Sequence, residues 1–190
     1  MHITAPIHRL GVAVLRVAVG IIFLWAGLEK LIGAGPNGWS AAGFLKFGTA
    51  GTLGWPFVSG EPAEGTIFNP THDFWVSLAG NDAAMAVVNF LVVFGETAIG
   101  IALILGLLTR FSAIMGALMM FLFFLAAWDF QFGIVNQHLT YMVVCLAIAG
   151  LGAGKYYGLD GMLAESGFAA NRPWFRKWFL SGDPAEPVAS

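Results

Sequence analysis

Four apolar stretches, each close to the length that crosses a bilayer, dominate the sequence. They cover residues 10–32, 84–108, 111–128 and 138–153, and a membrane-spanning helix needs about 20 residues. The stretches do not alternate polar with apolar residues, as the strands of a membrane β-barrel would. We therefore predict an all-α integral membrane protein, a bundle of four transmembrane helices. It forms one domain over residues 1–180, and residues 181–190 are a loose tail.

The first apolar stretch also has features of a cleavable signal peptide, because Arg9 precedes it. It is too long for the apolar core of a signal, and it ends in Leu28-Glu29-Lys30 rather than in a small-residue cleavage site. We therefore expect a helix that is retained.

Positive charge is distributed unequally between the two ends of the predicted bundle. Cytoplasmic loops of membrane proteins carry an excess of Lys and Arg, and only Lys30 and Lys46 fall at the poorer end. This pattern predicts a multi-pass protein of a prokaryotic cytoplasmic (inner) membrane with both termini in the cytoplasm and residues 33–83 outside. The cations at the richer end are Arg9, Arg16, Arg110, Lys155, Arg172, Arg176 and Lys177.

The long extracytoplasmic segment 33–83 exceeds a simple connection and is rich in aromatic residues, which prefer the headgroup level. We expect short interfacial helices at 39–47 and 71–79, the second with turn and cap chemistry from Asn69-Pro70-Thr71. The segment is either a membrane-lying lid without chemistry or a cover over a site that opens outward. Its aromatic residues are Trp39, Phe44, Phe47, Trp55, Phe57, Phe68, Phe74 and Trp75.

After the fourth stretch, residues 158–161 (Gly-Leu-Asp-Gly) are typical of a turn. Residues 171–180 then mix cations with aromatic side chains. This mixture suits the surface of the inner leaflet, where anionic lipids attract Lys and Arg.

Two charged residues lie inside the apolar stretches, Arg16 in the first and Glu96 in the second. An ion in hydrocarbon costs at least about 2.5–3.5 kcal/mol, so such residues are rare and usually functional. Counted from the ends of the stretches, the two differ in height by about 9 Å, most of which an extended arginine covers. We therefore expect an Arg16–Glu96 ion pair, which is either structural or a contact beneath a quinone-like ligand.

Helical periodicity gives three of the stretches one polar or small-residue face each. We expect these three faces to meet in one bundle interior. On the first stretch the face is Arg9, Ala13, Arg16, Gly20, Phe23, Gly27 and Lys30. On the second it is Asn89, Glu96, Gly100 and Leu103, and on the fourth it is His138, Tyr141, Cys145, Ala149 and Gly152.

His138 and Tyr141 lie one turn apart on the interior face of the fourth stretch. An imidazole titrates near neutrality, which suits proton transfer, although a hydrogen-bonded interface histidine is the more common case. No second histidine lies at membrane depth, and Cys145 is the single cysteine. We therefore expect no haem, no iron–sulfur cluster and no bound metal.

Three segments of the chain resemble the DoxX/DoxD family of small four-helix membrane proteins. The first is residues 15–31 (LRVAVGIIFLWAGLEKL) and the second is residues 95–110 (GETAIGIALILGLLTR). The third is the end of the fourth stretch through Lys155 and Gly158-Leu159-Asp160. The match is fairly specific, because Arg, Gly, Gly and Lys recur at set spacing in the first segment and Glu opens a Gly-rich run in the second.

The resemblance implies a redox role. The DoxD branch is the membrane subunit of thiosulfate:quinone oxidoreductase, which oxidises thiosulfate to tetrathionate, passes the electrons to quinone and works with a separate DoxA subunit. DoxX relatives are associated with sulfur and redox homeostasis and with partner complexes in actinobacteria. The long aromatic segment favours the DoxD-like branch. The net charge of −3 on residues 33–83, however, does not attract a thiosulfate dianion.

We therefore predict the membrane subunit of a quinone-linked oxidoreductase, with thiosulfate as one candidate donor. Its expected partners are the lipid bilayer, a quinone and a separate redox or respiratory subunit, without nucleic acid; homo-oligomer formation stays open. The alternatives are a non-catalytic scaffold subunit of a larger redox complex and a small transporter, for which four spans are few. The catalytic candidates are Glu96, His138 and Tyr141, and the quinone-binding candidates are Arg16, Lys30, Asn89 and Glu96.

Overall fold

Every regular element of the computed structural model is a helix within the residues that it describes, which are 6–33, 38–50, 69–128, 135–166, 169 and 171–180. Three of these helices are long and apolar enough to cross a membrane, which confirms the all-α membrane fold. In chain order the helices are α1 (Pro6–Ile32), α2 (Ala42–Phe47), α3 (His72–Ala79), α4 (Asp82–Leu105), α5 (Thr109–Ala126), α6 (Gln137–Leu151), α7 (Leu159–Glu165) and α8 (Pro173–Phe179).

The three long helices α1, α4 and α5 share one apolar core with the shorter helix α6. The core takes Phe23 from α1, Leu103 from α4, Ala117 from α5 and Ile148 from α6. The three faces predicted to be interior therefore meet in this core, together with a face of α5 for which no prediction was made. At 15 residues α6 is apolar but short, so its role as a fourth membrane span stays a prediction.

Glycines bring the backbones of α1 and α4 into direct contact. A Cβ atom at Gly100 would lie 2.7 Å from Leu24 Cα, and one at Gly27 would lie 2.8 Å from the Thr97 backbone nitrogen. Both distances are far below a normal carbon contact, so no larger residue fits at either position without moving a helix. Close approach through small residues is a usual way for membrane helices to associate.

Local capping sets the helix ends a few residues away from the ends of the apolar stretches. The Asn81 side chain accepts a hydrogen bond from Ala84 N at 3.0 Å and starts α4. Gly106 adopts a left-handed φ of +66° and ends the same helix, as C-terminal glycines commonly do. The prediction of a turn at residues 158–161 is wrong in detail, because Gly158 precedes α7 and Asp160 lies in its first turn. An acidic residue there suits the positive end of a helix dipole.

The described part of segment 33–83 forms a cap, which we define as residues 38–50 with α2 and residues 69–80 with α3. Both short helices occur where the sequence predicts them. Leu45 of α2 and Trp75 of α3 pack against Met85 and Ala126 at one end of the long helices. The remaining aromatic residues of the segment, Trp55, Phe57 and Phe68, lie outside the described residues, as does the tail at 181–190.

Asn69 fastens the cap to the end of α5, and its replacement is expected to loosen the cap locally. This side chain is 2% exposed. Its Nδ2 donates to Leu125 O and Ala126 O, both at 3.0 Å, and its Oδ1 accepts from Thr71 N at 2.9 Å. Asn69→Ala removes the side-chain donor of the Ala126 carbonyl group, while Leu125 O still accepts from Thr71 Oγ1 at 2.9 Å. We therefore expect a local loss of about 1–3 kcal/mol, seen as faster hydrogen exchange in α3.

Two variants separate the effect of Asn69 from a general disturbance of this end of the bundle. Asn69→Asp keeps an acceptor for Thr71 N but cannot donate to the carbonyl groups of α5, so it should expose α3 as well. Asn81→Ala removes the N-terminal cap of α4 and should leave α3 protected. Equal exchange in wild type and Asn69→Ala would show that the cap is held by other contacts.

Candidate functional site

A buried ion pair joins the last turn of α1 to the middle of α4. Lys30 Nζ lies 2.8 Å from Glu96 Oε2 and donates a hydrogen bond to Glu96 Oε1 at 3.0 Å. It also donates to Ala26 O at 3.2 Å. The Glu96 side chain is 3% exposed, whereas that of Lys30 is 22% exposed. The carboxylate of the pair is therefore buried, and the ammonium group is partly accessible from outside the bundle.

The cap supplies an aromatic neighbour for the ammonium group. Lys30 Nζ lies 5.5 Å from the centre of the Trp39 ring, a distance at which a cation and an aromatic ring attract each other. Asn89 of α4 holds the adjoining stretch of the cap, because its Oδ1 accepts from Ala41 N at 3.0 Å and its Nδ2 donates to Ser40 Oγ at 3.2 Å. Asn89 is thus a positioning residue for the cap.

The expected Arg16–Glu96 pair is wrong, because Glu96 pairs with Lys30 and Arg16 lies near the opposite end of α1. Lys30 and Arg16 are 14 residues apart, which corresponds to about 21 Å along a helix. The height difference of about 9 Å was counted from the ends of the two apolar stretches, which assumes that those ends lie at the same level. In the structure α1 extends beyond the end of α4, so that Arg16 is level with Gly106, the residue that follows α4.

Arg16 instead ties α1 to the chain that follows α6. Its Nη1 donates to Ala153 O at 3.3 Å and its Nη2 donates to Tyr157 O at 3.1 Å, and the residue is 1% exposed. The buried Asp160 carboxylate interacts electrostatically with the guanidinium group. Asp160 Oδ2 also accepts from Thr109 N at 3.0 Å. We call this set of Arg16, Ala153, Tyr157, Asp160 and Thr109 the arginine junction.

Two glycines leave the space that the guanidinium group occupies in the arginine junction. A Cβ atom at either Gly106 or Gly158 would overlap Arg16 Nη1. Gly158 and Asp160, which belong to the third family-like segment, therefore both act in holding Arg16. Sequence analysis did not identify Asp160 and Thr109 as members of the junction. Asp160, the acidic residue of the Gly-Leu-Asp-Gly run, was the one residue type that indicated a partner for a buried arginine.

His138 and Tyr141 do not join the Lys30–Glu96 pair through hydrogen bonds in the described residues. Both side chains are half-buried on α6. The His138 ring meets the edge of Phe123 at 5.7 Å between ring centres, and Tyr141 packs against the shared core. The predicted site residues therefore fall into three places, namely the ion pair with its cap, the arginine junction and the start of α6.

Comparison with known proteins agrees with the resemblance seen in the sequence. The DoxX family model matches residues 11–129, a span that contains Arg16, Lys30 and Glu96. Searches of curated proteins and of solved structures give no match. Since the matched span is more than half of the 190 residues and three of its helices can cross a membrane, the chain belongs to the DoxX family of membrane proteins.

Proposed function

We propose that this chain is the membrane subunit of a quinone-linked oxidoreductase and that Lys30 and Glu96 form the polar end of its quinone site. The observation that carries the proposal is the ion pair itself, in which a buried carboxylate holds a partly open ammonium group. Ionisable residues within membrane spans are expensive to bury and commonly mark proton or substrate pathways. Family membership supports the membrane setting, whereas the redox role rests on this pair.

The side chains at the pair fit the chemistry of a quinone. When bound, a quinone accepts two electrons and two protons at its carbonyl oxygens. An ammonium group has three N–H donors, and the hydrogen bonds to Ala26 O and Glu96 Oε1 use two of them. The exposed side of Lys30 can therefore offer a hydrogen bond to a carbonyl oxygen, and Trp39 supplies an aromatic face beside it.

Each residue of the site has a separate task in this proposal. Lys30 donates a hydrogen bond and then a proton to a carbonyl oxygen. Glu96 supplies the compensating negative charge, takes up a proton from water and passes it to the neutral amine of Lys30, so that Lys30 can deliver the second proton. Asn89 keeps the cap, and with it Trp39, over the ammonium group. The electrons come from a separate redox subunit, for which thiosulfate is one candidate source.

The proposed orientation places the ion pair near the outer face of a cytoplasmic membrane. Cations gather at the opposite end of the bundle, which we call the basic end. There Arg9 and Lys155 approach the Tyr156 ring at 6.0 and 5.3 Å, and Arg110 Nη1 donates to Lys177 O at 2.7 Å. The positive-inside rule assigns this end, and both termini, to the cytoplasm.

The test measures the quinone that remains bound after extraction in mild detergent. We expect wild-type protein to retain quinone, quantified by mass spectrometry, and Glu96→Gln and Lys30→Gln to retain at least about tenfold less, the loss of a charge-assisted hydrogen bond. Quinone reduction in membranes should fall in parallel. Glu29→Gln is the matched control, because it removes an exposed carboxylate next to Lys30. Wild-type quinone content in Glu96→Gln would exclude this site.

A scaffold role within a larger redox complex is the second candidate, and one surface of α4 favours it. Phe90 and Phe94 stack at 5.3 Å between ring centres and are both exposed on a spanning helix. Such a ladder suits packing against another membrane subunit. Stoichiometric co-purification with a respiratory complex, lost in Phe90→Ala/Phe94→Ala and independent of Glu96, would support the scaffold role.

A further inference from the structure

Two parts of the cap are held to the bundle by different kinds of contact. Leu45 of α2 and Trp75 of α3 are buried in one apolar cluster at the ends of α4 and α5, and Asn69 adds two hydrogen bonds to the end of α5. Residues 38–41, which we call the strap, precede α2. Only the last of them, Ala41, packs against that cluster, and it does so at the edge, partly buried.

Polar contacts hold the strap beside the ion pair. Asn89 of α4 accepts a hydrogen bond from Ala41 N at 3.0 Å and donates one to Ser40 Oγ at 3.2 Å. The Trp39 ring lies 5.5 Å from Lys30 Nζ. Each contact of this kind is modest in water-accessible surroundings. These contacts can therefore break while the buried apolar cluster of the cap stays intact.

The backbone at the two ends of the strap allows it to swing as a unit. Ala41 O accepts from Leu45 N at 2.9 Å, where α2 begins. Rotation about the φ angle of Ala41 moves its N–H and the residues before it, and leaves this carbonyl oxygen in place. At the other end Gly38 has a φ of +73°, and no described atom lies within 4 Å of the place that a Cβ atom would take. Opening the strap therefore leaves α2 unbroken.

Opening of the strap changes the surroundings of both charges. In the closed arrangement Trp39 lies beside the ammonium group of Lys30, whose side chain is 22% exposed. When the strap turns away, water takes the place of the indole ring. Because Lys30 Nζ contacts both oxygens of Glu96, water that reaches the ammonium group arrives next to the buried carboxylate.

We propose that the strap is a gate that opens to admit water to the Lys30–Glu96 pair and closes to place Trp39 over it. Closed, it keeps water away from the pair, and charges interact more strongly where water is excluded. Open, it lets water deliver the proton that Glu96 passes to Lys30. The inference deepens the proposed function, and rests on it for the use of the proton, because it names the route of proton supply. The movement itself requires no quinone and is measured without one.

The reactivity of the Lys30 amine, measured on the full chain in lipid nanodiscs, reports how often the strap is open. Sulfosuccinimidyl acetate, a water-soluble reagent, acylates accessible amines, and peptide mass spectrometry gives the rate at each lysine. We expect Asn89→Leu to raise the rate at Lys30 about 25-fold, since it removes two hydrogen bonds that each contribute about a factor of five. Ser40→Ala removes one of them and should raise the rate about fivefold.

Two controls accompany these variants. Lys46, an exposed lysine of α2, should react at the wild-type rate in every variant, which excludes a change in the reagent. Hydrogen exchange in α3 should also stay at the wild-type rate, because the strap opens while the rest of the cap remains docked.

A reversible cross-link tests the same movement in the opposite direction. Ser40→Cys/Asn89→Cys, joined by a short reducible bis-methanethiosulfonate, ties the strap to α4. The native Cys145 is 0% exposed and should not compete for the reagent. Lys30 should react more slowly in the joined protein than in wild type, and reduction of the cross-link should raise the rate above wild type, since the Asn89 side chain is then missing.

Three results would each overturn the gate. They are equal Lys30 rates in wild type and Asn89→Leu, faster hydrogen exchange of α3 in Asn89→Leu, and equal Lys30 rates before and after joining. Because these rates do not require a bound quinone, failure of the quinone site would leave them unchanged. A strap that does not open would, in turn, leave the quinone content of wild-type protein unchanged.

Discussion

Replacing Arg16 with methionine is expected to lower the free energy of unfolding by about 3–5 kcal/mol, because buried carbonyl groups lose hydrogen-bond donors and a buried carboxylate loses a nearby cation. The loss has two parts. Tyr157 O loses the Arg16 donor and Ala153 O keeps only Tyr156 N at 3.3 Å, and the carboxylate of Asp160 loses the nearby cation. Because these groups belong to the chain after α6, the segment 153–160 should separate from α1. Titration with denaturing detergent in mixed micelles measures the change.

Companion variants identify which part of the arginine junction matters. Arg16→Lys should recover little, because an ammonium group cannot reproduce the two-pronged donation of a guanidinium group to separate carbonyl groups. Arg16→Met/Asp160→Asn should be more stable than Arg16→Met alone, because it removes the buried negative charge that Arg16 faced while the Asn oxygen can still accept from Thr109 N. If Arg16→Met unfolds at the wild-type detergent concentration, the junction does not stabilise the bundle.

Helical periodicity was sufficient to predict most of the buried faces of α1, α4 and α6, whereas no face was predicted for α5. Arg16, Gly20, Phe23 and Gly27 were placed on one face of the first stretch, and all four are buried in α1. The reason is that a side chain's direction on a helix depends only on its position in the sequence. Cap helices were also accessible from sequence, because aromatic and turn residues mark them locally.

The axial position of one helix against another was not accessible from the sequence. Predicting Arg16 opposite Glu96 required the relative height of α1 and α4, and that height is set by backbone contacts at Gly27 and Gly100. The partners of Arg16 were hidden for a second reason. Two of them are main-chain oxygens, and every residue type has a main-chain oxygen, so the sequence does not indicate which one accepts. Asp160 does interact through its side chain, but the sequence analysis placed it in a turn.

Removing the charge of Lys30 is expected to cost more stability than removing that of Glu96. Lys30→Met leaves the Glu96 carboxylate buried without its cation, and we expect a loss of about 3–5 kcal/mol. Glu96→Gln leaves the partly exposed ammonium group of Lys30 free to extend toward the headgroup level, so its cost should be about 1 kcal/mol. Lys46→Met, which removes an exposed lysine of the cap, serves as the control in the same detergent titration.

The double variant Lys30→Met/Glu96→Gln separates a structural ion pair from a functional one. Neither charge is then buried, so its stability should return to within about 1 kcal/mol of wild type, because replacing a whole buried pair is often close to neutral. Bound quinone should nevertheless stay as low as in Glu96→Gln alone, since the donor and the acceptor are both gone. A stable double variant with wild-type quinone content would make Lys30–Glu96 a structural contact between α1 and α4. A stable variant without quinone would support Lys30–Glu96 as the quinone site, because replacing a purely structural pair should not change quinone binding when the stability of the fold is unchanged.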